Sequence, residues 1–142
     1  IGLADPQALV QAISSWDAYE RLGSPEGELV IAQCVIYLGV APKSNATYLA
    51  LNSSMQAAKE NGSLNPPKHI LNSSTTLMSY LGYGDGYEYD HDSKDAFSGQ
   101  NYFPEGLERK KFYGPKERGF ERDIVKRLEY WKKIRENKIH NN

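Results

Sequence analysis

Along the chain, apolar residues gather first into one unbroken run, Leu29 to Ala41, reading L-V-I-A-Q-C-V-I-Y-L-G-V-A. Only Gln33 interrupts it before Pro42. Neither helical nor strand periodicity leaves this run a polar face, so it is expected to be buried on most of its circumference. Val30, Ile31, Val35, Ile36 and Val40 favour a strand. The entry favours a helix: Ser24 as cap, Pro25 at the first helical position, and Glu26 and Glu28 at the positive end of the dipole. The run is long for a strand and Pro42 stops it, so the pattern predicts a buried central helix. It is shorter than the ~20 apolar residues that span a bilayer.

The rest of the pattern arranges itself around that helix. Asp5-Pro6 opens a first helix on which Leu9, Ile13 and Trp16 share a stripe, with Arg21 and Gly23 as its stop. The short turn that follows predicts an antiparallel pair. A third helix is expected from about Ser44 to Asn61, rich in small and apolar residues, among them Ala46, Leu49, Ala50 and Met55. After an extended Pro66-Pro67 segment, Asn72-Ser73-Ser74 is expected to cap a short fourth helix, Thr75 to Leu81. These four helices form a body over residues 1–81 of a single domain, 1–142. Residues 82–116 are punctuated by glycine and proline yet crowded with tyrosine and phenylalanine, which predicts an ordered, irregular strap. Residues 117–137 predict a last helix with Phe120, Ile124, Leu128, Trp131 and Ile134 on one stripe and basic residues elsewhere. The fold class is all-α.

Composition changes this picture little, but charge changes it in one respect. The formal net charge of −1 conceals a division. Residues 1–107 hold five basic and twelve acidic side chains, a net of −7, and residues 108–142 hold twelve and six, a net of +6. A basic arm on an acidic body meets either a second copy or an acidic partner. Arg109, Lys110, Lys111, Lys126 and Arg127, with Arg135 and Lys138 further along, could contact nucleic-acid phosphates. Phe112 and Tyr113 could stack on exposed bases beside them. The ordinary alternative is a solvated helix face. The single cysteine, Cys34, reads as a small buried hydrophobe. With no secretory leader or disulfide framework, a cytoplasmic location is expected.

Catalytic chemistry finds little purchase. Asp90-His91-Asp92 is the one cluster with metal or acid–base potential, and a structural role is the better expectation for it. No G-x-x-x-x-G-K-[ST] phosphate loop is present, and the glycines of G-Y-G-D-G-Y lack the lysine such a loop needs.

Several stretches together resemble one family. They are I-G-L-A-D-P-Q-A-L (Ile1–Leu9), A-P-K-S-N with Y-L-A (Ala41–Ala50) and L-G-Y-G-D-G-Y-E-Y-D-H-D (Leu81–Asp92). Y-F-P-E-G-L (Tyr102–Leu107) and F-Y-G-P-K-E-R-G-F-E (Phe112–Glu121) follow in order. The motif residues include Pro42, Lys43, Ser44 and Asn45, then Gly82, Tyr83, Gly84, Gly86, Tyr87, His91 and Asp92. The chain resembles the C-terminal part of the replication-associated recombination protein A (RarA, or MgsA) family of AAA+ ATPases. These are similar to Werner helicase-interacting protein and to clamp-loader subunits.

The resemblance implies a helical post-AAA+ oligomerisation domain, self-associating as a homotetramer, in a parent ATPase that works at stalled replication forks. ATP and magnesium would be bound elsewhere in that parent, with no cofactor, catalytic residue or metal in this piece. DNA ends or junctions and replication-fork proteins are the further partners implied, in a nucleoid-associated cytoplasmic setting and without a membrane. Ala46, Leu49, Ala50 and Met55 are the candidate interface residues, and the basic helix is the alternative functional element as a DNA-contacting module.

Overall fold

The computed structural model of the chain describes residues 1–141, with side chains as far as Lys138. It is all-helical, and no strand forms among the described residues. The helices are α1 (Gln7–Leu22), α2 (Glu26–Val40), α3 (Ala46–Asn61), α4 (Thr76–Tyr80) and α5 (Glu121–Asn141). Single 3-10 turns lie at Gly2–Ala4, Lys68–Ile70 and Asp90–Asp92. Two compact units result, residues 1–54 with 112–128 and, among the described residues, 55–111 with 129–141.

In the first unit, α1 and α2 make an antiparallel hairpin. At its closed end Gly27 packs on Tyr19, so near that a Cβ at Gly27 would come within 2.8 Å of the ring. At its open end the Tyr37 hydroxyl donates to Asp5 Oδ2 at 2.7 Å. Asp5 also caps the start of α1, its Oδ1 accepting from Gln7 N at 3.0 Å. Arg21 and Gly23 close α1 as expected, the glycine with a φ of 64°. The facing surfaces are made of small residues, with Ala4, Ala8, Ser15, Gly27 and Cys34 buried. Small side chains let the two backbones approach closely.

That close approach overturns the expectation for the central helix. Leu29, Val35, Ile36 and Val40 are exposed, because the helix that packs closely along α2 is α1, on the Gly27–Cys34 face. A helix apolar all round therefore keeps apolar side chains on its open sides. The stripe Leu9, Ile13 and Trp16 on α1 is likewise exposed and is not core. Pro25 precedes α2 as its cap residue, and the Ser24 hydroxyl donates to the Glu28 carboxylate without capping a backbone amide.

Other boundaries shift for local reasons. α3 starts at Ala46, whose amide donates to Ser44 Oγ. Thr75, rather than Asn72-Ser73-Ser74, caps α4 by accepting from Met78 N at 3.2 Å. α5 starts at Glu121, four residues later than the 117–137 expectation, because Glu117 and Gly119 both take positive φ (55° and 51°) that no α-helix continues.

In the second unit the strap folds as turns and loops held on the later part of α5. Trp131 packs on Phe97 with centroids 4.7 Å apart, and Arg135 lies over the same ring at 5.0 Å. Arg135 Nε donates to Gly99 O at 3.2 Å, while Lys138 Nζ donates to Ser93 Oγ at 3.1 Å and Phe97 O at 2.8 Å.

Candidate functional site

Three of the motif stretches meet in the first unit around a buried carboxylate. Glu121, with 0% exposure, stands at the first position of α5. Its Oε1 accepts from the Tyr113 hydroxyl at 2.7 Å and its Oε2 from the Lys116 amide at 2.8 Å. The Ser44 side chain also hydrogen-bonds to it. Burial alone would raise the Glu121 pKa, but the three donors and the Lys116 charge outweigh it and hold the carboxyl below its ordinary value. The tyrosine shows the reciprocal effect: burial first, then the Glu121 hydrogen bond and charge, push Tyr113 up to about 12.

Backbone contacts complete the node. Ser44 N donates to Ile1 O at 3.1 Å and Phe120 N to Ala4 O at 2.8 Å. Arg118 Nη1 donates to Lys43 O at 3.2 Å. Gly119 sits so close to the first motif that a Cβ there would lie 2.1 Å from Ala4 O and 2.8 Å from Pro42 Cγ. Lys43 Nζ donates to Leu38 O and Ala41 O at 2.7 and 2.6 Å, satisfying carbonyls at the C-terminal end of α2. The arrangement is structural: it fixes where α2 ends and where α3 and α5 begin.

What that scaffold presents is an apolar surface. Among the described residues, the buried hydrophobic side chains are Ala4, Ala8, Cys34, Ala41, Ala46 and Ala57, none larger than cysteine. By contrast Leu9, Ile13, Trp16, Leu29, Ile36 and Val40 are between 56% and 81% exposed. On α1 they repeat at i, i+4, i+7 and on α2 at i, i+7, i+11. The residues proposed from the third helix divide: Ala46 is packed inside the chain, Ala50 is partly buried, and Leu49 and Met55 are exposed. Tyr48 and Leu51 are also exposed, and sequence reasoning passed over them although they lie at i and i+3 to one another.

The basic candidates also divide. Lys126 pairs with Asp123 at 3.1 Å and Arg127 lies 5.5 Å over the Phe120 ring. Arg109, Lys110 and Lys111 lie on an exposed non-helical stretch. Tyr113 is committed to Glu121 and is no stacking platform.

In the second unit Gly82, Tyr83, Gly84, Gly86 and Tyr87 form a run of turns, with Gly84 N donating to Lys68 O at 2.9 Å. Asp90, His91 and Asp92 form a 3-10 turn, not an extended segment. Asp90 Oδ1 accepts from Ser98 N at 2.8 Å, and the hydrogen bonds from Ser98 hold its carboxyl below the ordinary value. The His91 ring lies 5.0 Å from that of Tyr89. Among the described residues no three His, Cys, Asp or Glu side chains come together as a metal set.

An all-helical domain of this kind, bearing these motifs in this order, is the C-terminal part of an AAA+ ATPase. The chain belongs to the family described as MgsA AAA+ ATPase C terminal, which matches residues 1–132. It is 47% identical over 137 residues to Replication-associated recombination protein A of Coxiella burnetii, covering 96% of this chain and 31% of that protein. The protein of the same name from Haemophilus influenzae is 47% identical over 130 residues, covering 91% and 29%. ATPase WRNIP1 of Dictyostelium discoideum is 35% identical over 114 residues, covering 80% and 13%. The chain thus spans under a third of the length of the two bacterial relatives. Among the described residues no helix is long and apolar enough to cross a membrane.

Proposed function

We propose that this chain is a homo-oligomerisation domain that holds the ATPase modules of its parent protein together, as a tetramer, for DNA replication, recombination and repair at stalled forks. The observation that carries the reading is the exposed apolar surface of α1 and α2. Large apolar side chains exposed in such number point to an interaction surface, and burying one of them contributes ~1.5–3 kcal/mol. The occupant is a second copy: the resemblance implies self-association through this region, and closed symmetry lets an acidic body of −7 meet a basic arm of +6. ATP and magnesium belong to the remainder of the parent, as does engagement of DNA ends or junctions. The absence of a phosphate loop from this sequence supports leaving nucleotide chemistry out of this domain.

The test is substitution on the surface followed by solution mass. Trp16→Asp and Ile36→Asp each yield folded species smaller than the parent assembly, as do Leu49→Asp and Met55→Asp if α3 joins the interface. Folded tetramers from both α3 variants remove that helix from the interface. Folded tetramers from the α1 and α2 variants overturn the reading.

A second reading, direct contact with nucleic acid, is favoured by one observation. Lys110 and Lys111 are exposed and make no hydrogen bond or ion pair among the described residues. On α5, by contrast, Lys126, Arg127, Arg135 and Lys138 are engaged within the chain. This reading therefore rests on the stretch before the helix.

A further inference from the structure

Beside the Glu121 node, in the first unit, lies a cleft of about 540 Å³ lined by Ile1, Lys43, Ser44, Asn45, Lys116 and Arg118. Three of these six residues carry a positive side chain and none carries a negative one. All three cations are exposed, and each is held in place by the chain itself. Lys43 Nζ donates to Leu38 O and Ala41 O, which leaves one of its three ammonium protons over. Arg118 spends one N–H on Lys43 O, and the rest of its fork is unengaged among the described residues. Lys116 is fixed through its main chain, whose amide donates to Glu121 Oε2, while its ammonium makes no hydrogen bond among the described residues.

No counter-charge meets them. The ion pairs formed among the described residues, Lys126 with Asp123 and Lys132 with Glu136, involve none of the three. Glu121 feels the Lys116 charge, but its carboxylate is fully buried and already accepts from three donors. Glu117 stands between Lys116 and Arg118 in the chain, yet it is not part of the lining. Its backbone takes a φ of 55°, a conformation uncommon for a residue with a side chain. Three like charges brought to one cleft repel one another, and an anion seated among them relieves that repulsion.

The donor set restricts what that anion is. A carboxylate has one charge and two coplanar oxygens, which a single arginine fork satisfies. A phosphate has a tetrahedron of oxygens and up to two charges, so it takes a fork together with two lysine point charges. We propose that this cleft binds a phosphate group, held by Lys43, Lys116 and Arg118. The phosphate comes either from a free nucleotide or polyphosphate or from the backbone of a nucleic-acid strand. These residues are distinct from Lys110 and Lys111, so the site goes beyond the nucleic-acid reading above and does not stand or fall with that stretch.

Titration of the 142-residue chain with inorganic pyrophosphate, followed by calorimetry and by amide NMR shifts, tests it. Pyrophosphate binds, the shifts concentrate at residues 43–46 and 116–118, and acetate at equal ionic strength produces neither effect. Lys116→Gln weakens the binding about tenfold and Lys116→Arg retains it. Both variants keep the backbone amide that serves Glu121. Acetylation of the Ile1 amine leaves the binding in place, because the side chains supply the charge. An oligothymidylate that competes with pyrophosphate and loses affinity in Lys116→Gln identifies a strand as the source. Strand affinity unchanged in Lys116→Gln, with pyrophosphate still weakened, identifies a free phosphate.

Absence of pyrophosphate binding, shifts confined to other residues, undiminished binding by Lys116→Gln, or loss of binding on acetylation overturns the site. So does a polyglutamate peptide that shifts residues 43–46 and 116–118 where pyrophosphate does not, since that assigns the cleft to an acidic segment. If Lys110→Glu with Lys111→Glu leaves strand binding unchanged while pyrophosphate still shifts those residues, the nucleic-acid reading of that stretch fails and the phosphate site is supported. Should Lys116→Gln fail to fold, the shifts on the unaltered chain decide: at residues 43–46 and 116–118 they support the proposal, and elsewhere they overturn it.

Discussion

Glu121 shows how much one side chain can govern. Three donors converge on a carboxylate that is itself fully buried, and removing it takes the partner from all of them. Glu121→Ala is expected to cost about 1–3 kcal/mol in denaturant unfolding, since the donors are only partly buried and water can replace part of what is lost. The pH dependence follows from the two shifts. The Glu121 pKa is lowered in the folded chain, so its stabilisation is present above the ordinary carboxylate range and is lost as pH falls through the lowered folded value. The Tyr113 pKa is raised from 10.0 to about 12, so its stabilisation is full below pH 10 and is lost as pH rises toward 12. Unfolding midpoints across acid and alkaline pH should therefore fall at both ends, and Glu121→Gln should flatten the acid limb.

Gly119 is the other decisive residue. A Cβ at 2.1 Å from Ala4 O has no flexible neighbour to displace, and the φ of 51° adds backbone strain. Gly119→Ala should lose several kcal/mol, on the order of 3 or more, and show it as a large drop in thermal midpoint. A helix running from residue 117 would set Glu117 and Glu121 at i and i+4 on one face. Gly114-Pro115 and Gly119 were the available signals that the helix starts later and that Glu121 faces inward.

At the scale of elements, α5 has two halves with different work. Its first turn anchors the node, and its later residues hold the strap through Trp131, Arg135 and Lys138. Arg135→Ala removes a hydrogen bond to Gly99 O and a cation over Phe97, together worth ~1–2 kcal/mol. Amide exchange across residues 93–100 should speed up accordingly, while exchange in α1 and α2 stays unchanged. The aromatic density of the strap was legible in the sequence, and Phe97 is one of those aromatics that packs on α5. Which cations it consumes was not legible, because helical periodicity separates charged from apolar positions and cannot tell a solvated charge from one capping a distant carbonyl. The helical nature of the Leu29–Ala41 run was legible from its flanking residues; its exposure was not. Sequence shows that an apolar helix needs partners, but not whether one chain supplies them.

At the scale of the whole molecule, the motif order carried the family and the all-α class, and the proposed function rests on the exposed apolar surface. Among the described residues the six buried hydrophobic residues are no larger than cysteine, a thin core, and many of the large apolar side chains are exposed. The solution mass of this chain by light scattering after gel filtration, at low and moderate salt, tests that account most directly. The expected result is a mass near four times the 16.0 kDa chain, largely retained at moderate salt because apolar burial is the main contribution, with the basic arm adding a smaller, salt-sensitive part. A monomer of 16.0 kDa at high micromolar concentration would contradict it.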